Sequence, residues 1–174
     1  RRFAPVIIEL NSPLVPYVTP EEFACGVRVH SENYGGVFEF SGRYGTNLMQ
    51  EVEHYAAVAA QITLDLNGQF DVIHAHDWLT YRAGIVAKEI SGKPLVVHVH
   101  ATEFDRSGAN INRSVFKIEQ QGMTAADRVI AVSNLTRSIV INKYGIAADK
   151  VEVVHNAVMP EVNQIDVERI SPLK

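Results

Sequence analysis

The sequence has 174 residues, 47% of them hydrophobic, with a formal net charge of -4. That length builds one sizeable core and one domain, the negative balance excludes the basic footprint of a nucleic-acid binder, and no apolar run reaches the roughly 18 residues of a membrane span. A single cysteine, Cys25, excludes an intrachain disulfide, reads as an ordinary buried or half-buried thiol and points to a reducing, cytoplasmic setting.

The chain opens on Arg1-Arg2 without Met, as expected of a fragment. Residues 1–45 are the least regular part. Residues 6–10 (VIIEL) read as a short strand that Asn11-Ser12-Pro13 breaks, and Pro16 and Pro20 keep the next stretch out of regular structure. Gly35-Gly36, Gly42 and Gly45 mark loops. From Thr46 the pattern sharpens. Leu48, Val52, Tyr55, Ala59, Ile62 and Leu66 predict one face of a long helix, capped by Thr46 or Asn47 and stopped by Gly68.

Strand and helix then alternate. Strands are predicted over 70–75, 95–99, 128–132 and 151–154, and helices over 79–90, 112–126 and 133–144. Gly92 and Gly145 stop two of these helices, Ser133 caps one, and Gly122 is a candidate break. The strands read as short, β-branched and apolar throughout, as expected of strands covered on both faces. Single helices between them predict right-handed crossovers and a parallel, doubly wound, Rossmann-like α/β sheet. Residues 161–174 read as a connector or ragged end.

In such sheets ligands sit beyond the carboxyl ends of the strands. Those ends read His74-Ala75-His76-Asp77-Trp78, His98-Val99-His100-Ala101-Thr102-Glu103, Ser133-Asn134 and His155-Asn156, and hold five of the seven histidines. Residues i and i+2 of a strand share a face, which pairs His74 with His76 and His98 with His100. The earlier members, His74 and His98, read as structural histidines hydrogen-bonded within the sheet layer. His76 and His100 lie nearer the crevice and read as functional. Asp77 fits both a helix N-cap and an acceptor for a ligand hydroxyl. Trp78 either packs the helix start onto the sheet or stacks on a ligand ring. Glu103, Asp105 and Arg106 read either as a solvated loop or as part of the site. No G-x-G-x-x-G and no P-loop is present, and Gly35-Gly36 is a weak phosphate signal.

The blocks FDVIHAHDW, PLVVHVHATEFDRSG, ADRVIAVSNLTR, KYGI and KVEVVHNAV, in this order and spacing across residues 44–158, resemble the amino-terminal domain of retaining, glycogen-synthase-like glycosyltransferases of family 4 type and GT-B fold. The resemblance implies two Rossmann-like domains flanking a cleft. The first, here residues 1–160, binds most of a saccharide or other hydroxyl acceptor. The second, absent here, binds most of the nucleotide-sugar donor. It also implies transfer with retained configuration and no essential metal. His100 is implied at the catalytic position near the transferred sugar. His76, Asp77, Trp78, Thr102 and Glu103 are implied on the substrate side. The family's first strand and glycine-rich loop would precede residue 1, and Asn156-Ala157 stands where Asn-Gly is usual. Without a first strand, the strand at 70–75 has an open edge, which residues 6–10 or a second copy of the chain would cover. The chain alone is expected to be inactive. The alternatives are a metal-dependent hydrolase built on the His-x-His strand ends, or a non-catalytic α/β binding module.

Overall fold

A computed structural model describes the backbone of residues 28–31 and 36–39 and the whole of residues 48–157. The first two segments, β1 (Arg28–Ser31) and β2 (Gly36–Glu39), pair antiparallel. They fall in the region that the sequence pattern leaves irregular. The strand predicted at 6–10 lies outside the described residues, as do the helix caps at Thr46 and Asn47.

The rest is an α/β unit. Helix α1 (Leu48–Leu66) ends where Asn67 and Gly68 take positive φ, 44° and 74°. Strand β3 (Ile73–His76) leads into α2 (Trp78–Ser91), and β4 (Leu95–Val99) into α3 (Glu103–Ser107) and α4 (Arg113–Ala125). Strand β5 (Arg128–Ala131) leads into α5 (Asn134–Tyr144), and β6 (Val151–Val153) completes a parallel sheet of order β3-β4-β5-β6. Gly92 and Gly145 close α2 and α5 in left-handed conformations, and the Ser133 hydroxyl accepts from Thr136 N, as the sequence predicts. Strand β3 starts later than expected, where Ile73 N first meets Pro94 O at 2.9 Å.

Every step across the sheet goes in one direction. Right-handed crossovers then put the connecting helices on one side. The burial follows: Ala75, Leu95, Val97, Val99, Val129, Ala131 and Val151 are buried on that side. The alternating residues His74, His76, Val96, His98 and Ile130 are exposed or half-buried. Among the described residues, the helices cover one face of the sheet. Strand β3 is the sheet edge among those residues.

Helix α1 lies against α2. Its buried residues include Val52, Ala56, Val58 and Thr63, so the predicted stripe is rotated: Tyr55, Ala59, Ile62 and Leu66 are half-buried. Thr63 meets its own need by donating to Ala59 O at 2.7 Å.

Gly122 does not break α4, which runs through it. A Cβ there would lie 2.4 Å from Tyr81 Cδ2 and 2.6 Å from Tyr81 Cβ, so the glycine lets α4 close on α2. Tyr81 is 1% exposed and donates to His98 O at 3.2 Å. Gly122→Ala is expected to cost about 1–3 kcal/mol, the usual range for overpacking. Urea denaturation measures it, and an unchanged midpoint would show that the contact is loose.

Candidate functional site

The site begins where β3 and β4 emerge. Asp77 joins β3 to α2 with φ 56° and ψ 168°, a region nearly restricted to glycine. Its carboxylate does not cap α2, the role open to it from sequence. Asp77 Oδ1 accepts instead from His100 N at 2.9 Å and Ala101 N at 3.5 Å. Asp77 N donates back to His98 O at 3.0 Å. The strained turn thus aims a carboxylate at the two amides where β4 leaves the sheet. Thr80 Oγ1 donates to His76 O at 2.7 Å and secures the same corner.

The segment after β4 is a short helix, not a solvated loop. Thr102, 1% exposed, gives both its N–H and its hydroxyl to Asp105 Oδ2, at 2.7 and 2.8 Å. Glu103 is 4% exposed and turned inward. Its Oε1 accepts from Ser107 Oγ at 2.5 Å and Asn112 N at 2.9 Å. Burial disfavours its charge, but these bonds and Arg106 outweigh burial and hold its pKa below the ordinary value.

Beneath the helix lies Glu119 of α4, 2% exposed. It accepts from Glu103 N at 3.1 Å, from the Tyr144 hydroxyl and from Arg106. Arg106 also donates to Ala101 O at 3.1 Å. Burial pushes the Glu119 pKa up despite these partners, and burial with the adjacent carboxylate pushes the Tyr144 hydroxyl up as well. Sequence reasoning missed Glu119 and Tyr144. A signal was present: Glu119 falls on the inward stripe of α4 with Val115, Ile118, Gly122 and Met123, where a carboxylate needs a partner.

Four imidazoles line the exposed side of the strand ends. His76 Nδ1 lies 3.0 Å from His100 Nε2. His98 and His100 stack at 4.3 Å between ring centroids, and His74 and His76 lie 4.2 Å apart. His98 is not the hydrogen-bonded structural histidine expected: both its ring nitrogens are buried without a partner. His74 is exposed, not embedded in the layer. Burial, then the neighbouring imidazoles, lower the pKa of His98 to about 4. The same causes lower that of His76.

Of the residues singled out by sequence, the structure brings His76, Asp77 and His100 together at one corner. Trp78, 8% exposed, belongs to the core cluster, and Thr102 and Glu103 are committed to internal bonds. At the other strand ends, Ser133 caps α5, and His155 and Asn156 are exposed, with His155 Nδ1 3.1 Å from Val132 O.

The lowered histidine pKa values carry a sign. An unfolded histidine titrates near 6.5, whereas His98 in the fold is lowered to about 4. Between those values the unfolded chain binds more protons, so stability rises with pH. Thermal midpoints are expected to fall as pH drops through this window, and His98→Gln to flatten that segment. A variant profile parallel to the parent's would remove His98 from the explanation.

The profile of the family described as Glycosyltransferase Family 4 matches residues 20–162. An uncharacterized glycosyltransferase of Methanocaldococcus jannaschii is 32% identical over 53% of this chain and 24% of its own length. D-inositol 3-phosphate glycosyltransferase of Streptosporangium roseum is 35% identical over 56% of this chain and 24% of its own. Glycogen synthase of Mycobacterium tuberculosis is 30% identical over 51% and 22%. Among solved structures, a glycosyltransferase of Rickettsia africae aligns with TM-score 0.48 and 18% identity, over 75% of this chain and 32% of that one. This chain thus spans about a quarter of the length of the curated relatives it matches. With the family profile covering most of its residues, the chain belongs to glycosyltransferase family 4.

Proposed function

We propose that this chain is the acceptor-side domain of a retaining glycosyltransferase that moves a sugar from a nucleotide-sugar donor to a saccharide or polyol hydroxyl. The observation that supports this most is the meeting of His76, Asp77 and His100 at the carboxyl ends of adjacent parallel strands, in a chain of this family. The names of its relatives, an inositol phosphate glycosyltransferase and a glycogen synthase, agree with a hydroxyl-rich acceptor.

Glycosyl transfer passes through an oxocarbenium-like state as the diphosphate departs. His100 is exposed at the corner, and its imidazole can hold a sugar hydroxyl by an oriented hydrogen bond. Asp77 fixes the backbone of His100, and His76 orients its ring. In this reading Trp78, Thr102 and Glu103 position the loop from beneath and touch no ligand. His76 and His98, held neutral by burial and by each other, offer no cation. Charge for the diphosphate then comes from a second, donor-binding domain in the same enzyme, and the chain alone does not turn over. A cytoplasmic location belongs to the same reading. No helix of the described residues is long and apolar enough to cross a membrane.

Two measurements test this. The chain is incubated with UDP-, ADP- and GDP-sugars together with glucose, inositol and maltooligosaccharide acceptors. No product is expected, and catalytic turnover would overturn the assignment of half a site. Acceptor binding, followed by NMR at the His100 and Ala101 amides, is expected to weaken roughly fivefold in His100→Ala, the loss of one hydrogen bond worth about 1 kcal/mol. Equal shifts in parent and variant would exclude His100 from the acceptor wall.

A further inference from the structure

The histidines do more than line a corner. His74 and His76 project from one face of β3, and the parallel register sets His76 beside His98 on β4. One ring nitrogen from each of His74, His76 and His98 lies within 4.8 Å of the others. We propose that these residues form a three-imidazole site for a late first-row divalent cation of the Zn²⁺, Co²⁺ or Ni²⁺ kind, on the sheet face opposite the helices.

Three features argue for it. The first is spacing. Tetrahedral Zn–N bonds of about 2.0–2.1 Å place ligand nitrogens about 3.3 Å apart. The three nitrogens, within 4.8 Å of one another, need to draw together by at most about 1.5 Å to reach it. The second is the state of His98. Both its ring nitrogens are buried and unpartnered, which leaves a polar group uncompensated. A cation facing His74 and His76 would take the lone pair of the unprotonated ring nitrogen. The third is the partner behind the site. His76 Nδ1 is 3.0 Å from His100 Nε2. When Nδ1 donates in that bond, Nε2 of His76 keeps its lone pair for a metal, and His100 serves as the outer partner that metal-bound histidines usually have.

The donor set fixes the class of ion. Imidazoles suit zinc, cobalt, nickel and copper, whereas magnesium and calcium require oxygen ligands. Three protein ligands leave a fourth position for water.

The test uses the chain prepared without an affinity tag and stripped with a chelator. Co²⁺ titration at neutral pH is expected to give the visible absorption of a four-coordinate ion, saturating at one equivalent and displaced by Zn²⁺. His74→Gln and His98→Gln are each expected to weaken binding by more than about tenfold. His155→Gln, outside the cluster, is expected to leave binding unchanged. Circular dichroism verifies the fold of each variant. If His98→Gln does not fold, Zn²⁺ protection of His74 in the parent chain against diethylpyrocarbonate, read by mass spectrometry, answers the same question. Absence of saturable binding, equal affinity in His74→Gln, or no protection of His74 overturns the site.

Discussion

The handedness of parallel crossovers is the constraint from which the rest of this structure follows. Four strands in the order β3-β4-β5-β6 take every step in the same direction, so their connecting helices gather on one side. That side becomes the core. Leu95, Val97 and Val129 are completely buried there, and each such side chain contributes about 1.5–3 kcal/mol by leaving water. The other side receives the alternate residues of the same strands. On β3 and β4 those are His74, His76 and His98. Core and imidazole cluster are thus two faces of one periodicity: moving either strand by one residue would exchange them.

Two carboxylates then lock the polar end of the sheet. Asp77 occupies a backbone region that costs roughly 1–3 kcal/mol for a residue with a side chain. The cost is offset by what the conformation achieves, a carboxylate accepting from the amides of His100 and Ala101. Glu119 is the deeper of the two. It sits among apolar neighbours yet gathers Glu103 N, the Tyr144 hydroxyl and the Arg106 guanidinium. Removing one partner from such a set leaves an uncompensated buried group, so its members are bound to one another more tightly than their separate bonds suggest. Through Arg106 and Ala101 O the network reaches the residue next to His100. The positions of the exposed groups are therefore set by the hydrogen bonds of Asp77 and Glu119.

This explains which parts could be read from the sequence. Local signals read well. The Ser133 cap and the glycine stops at Gly92 and Gly145 depend only on neighbouring residues, and β4 has the bounds its composition predicts. Non-local groups read poorly. The helix at Glu103–Ser107 is held by Asn112 N and Glu119, contributed by later parts of the chain, so the sequence there looks like a solvated loop. Gly122 carries a helix-breaking signal, but its purpose is contact with Tyr81 on another helix. Asp77 is legible as a cap, yet its partners lie on the neighbouring strand. The family resemblance was legible because it rests on several short blocks in order, four of which run through a strand end.

The histidines show the same division at finer scale. The i, i+2 spacing pairs His74 with His76 and His98 with His100, and both pairs can be read along a single strand. What sequence lacks is the register, His76 beside His98, that merges two pairs into one group of four. The merger changes their chemistry. A lone exposed imidazole titrates freely, whereas crowded ones resist taking up protons, because burial and the neighbouring rings both penalise the charge. His76 and His98 consequently supply oriented hydrogen bonds and lone pairs but no positive charge at neutral pH. Such a wall suits hydroxyl groups or a coordinated cation, and it does not suit a diphosphate. Under the proposed function, the anionic half of a nucleotide sugar would therefore be held elsewhere.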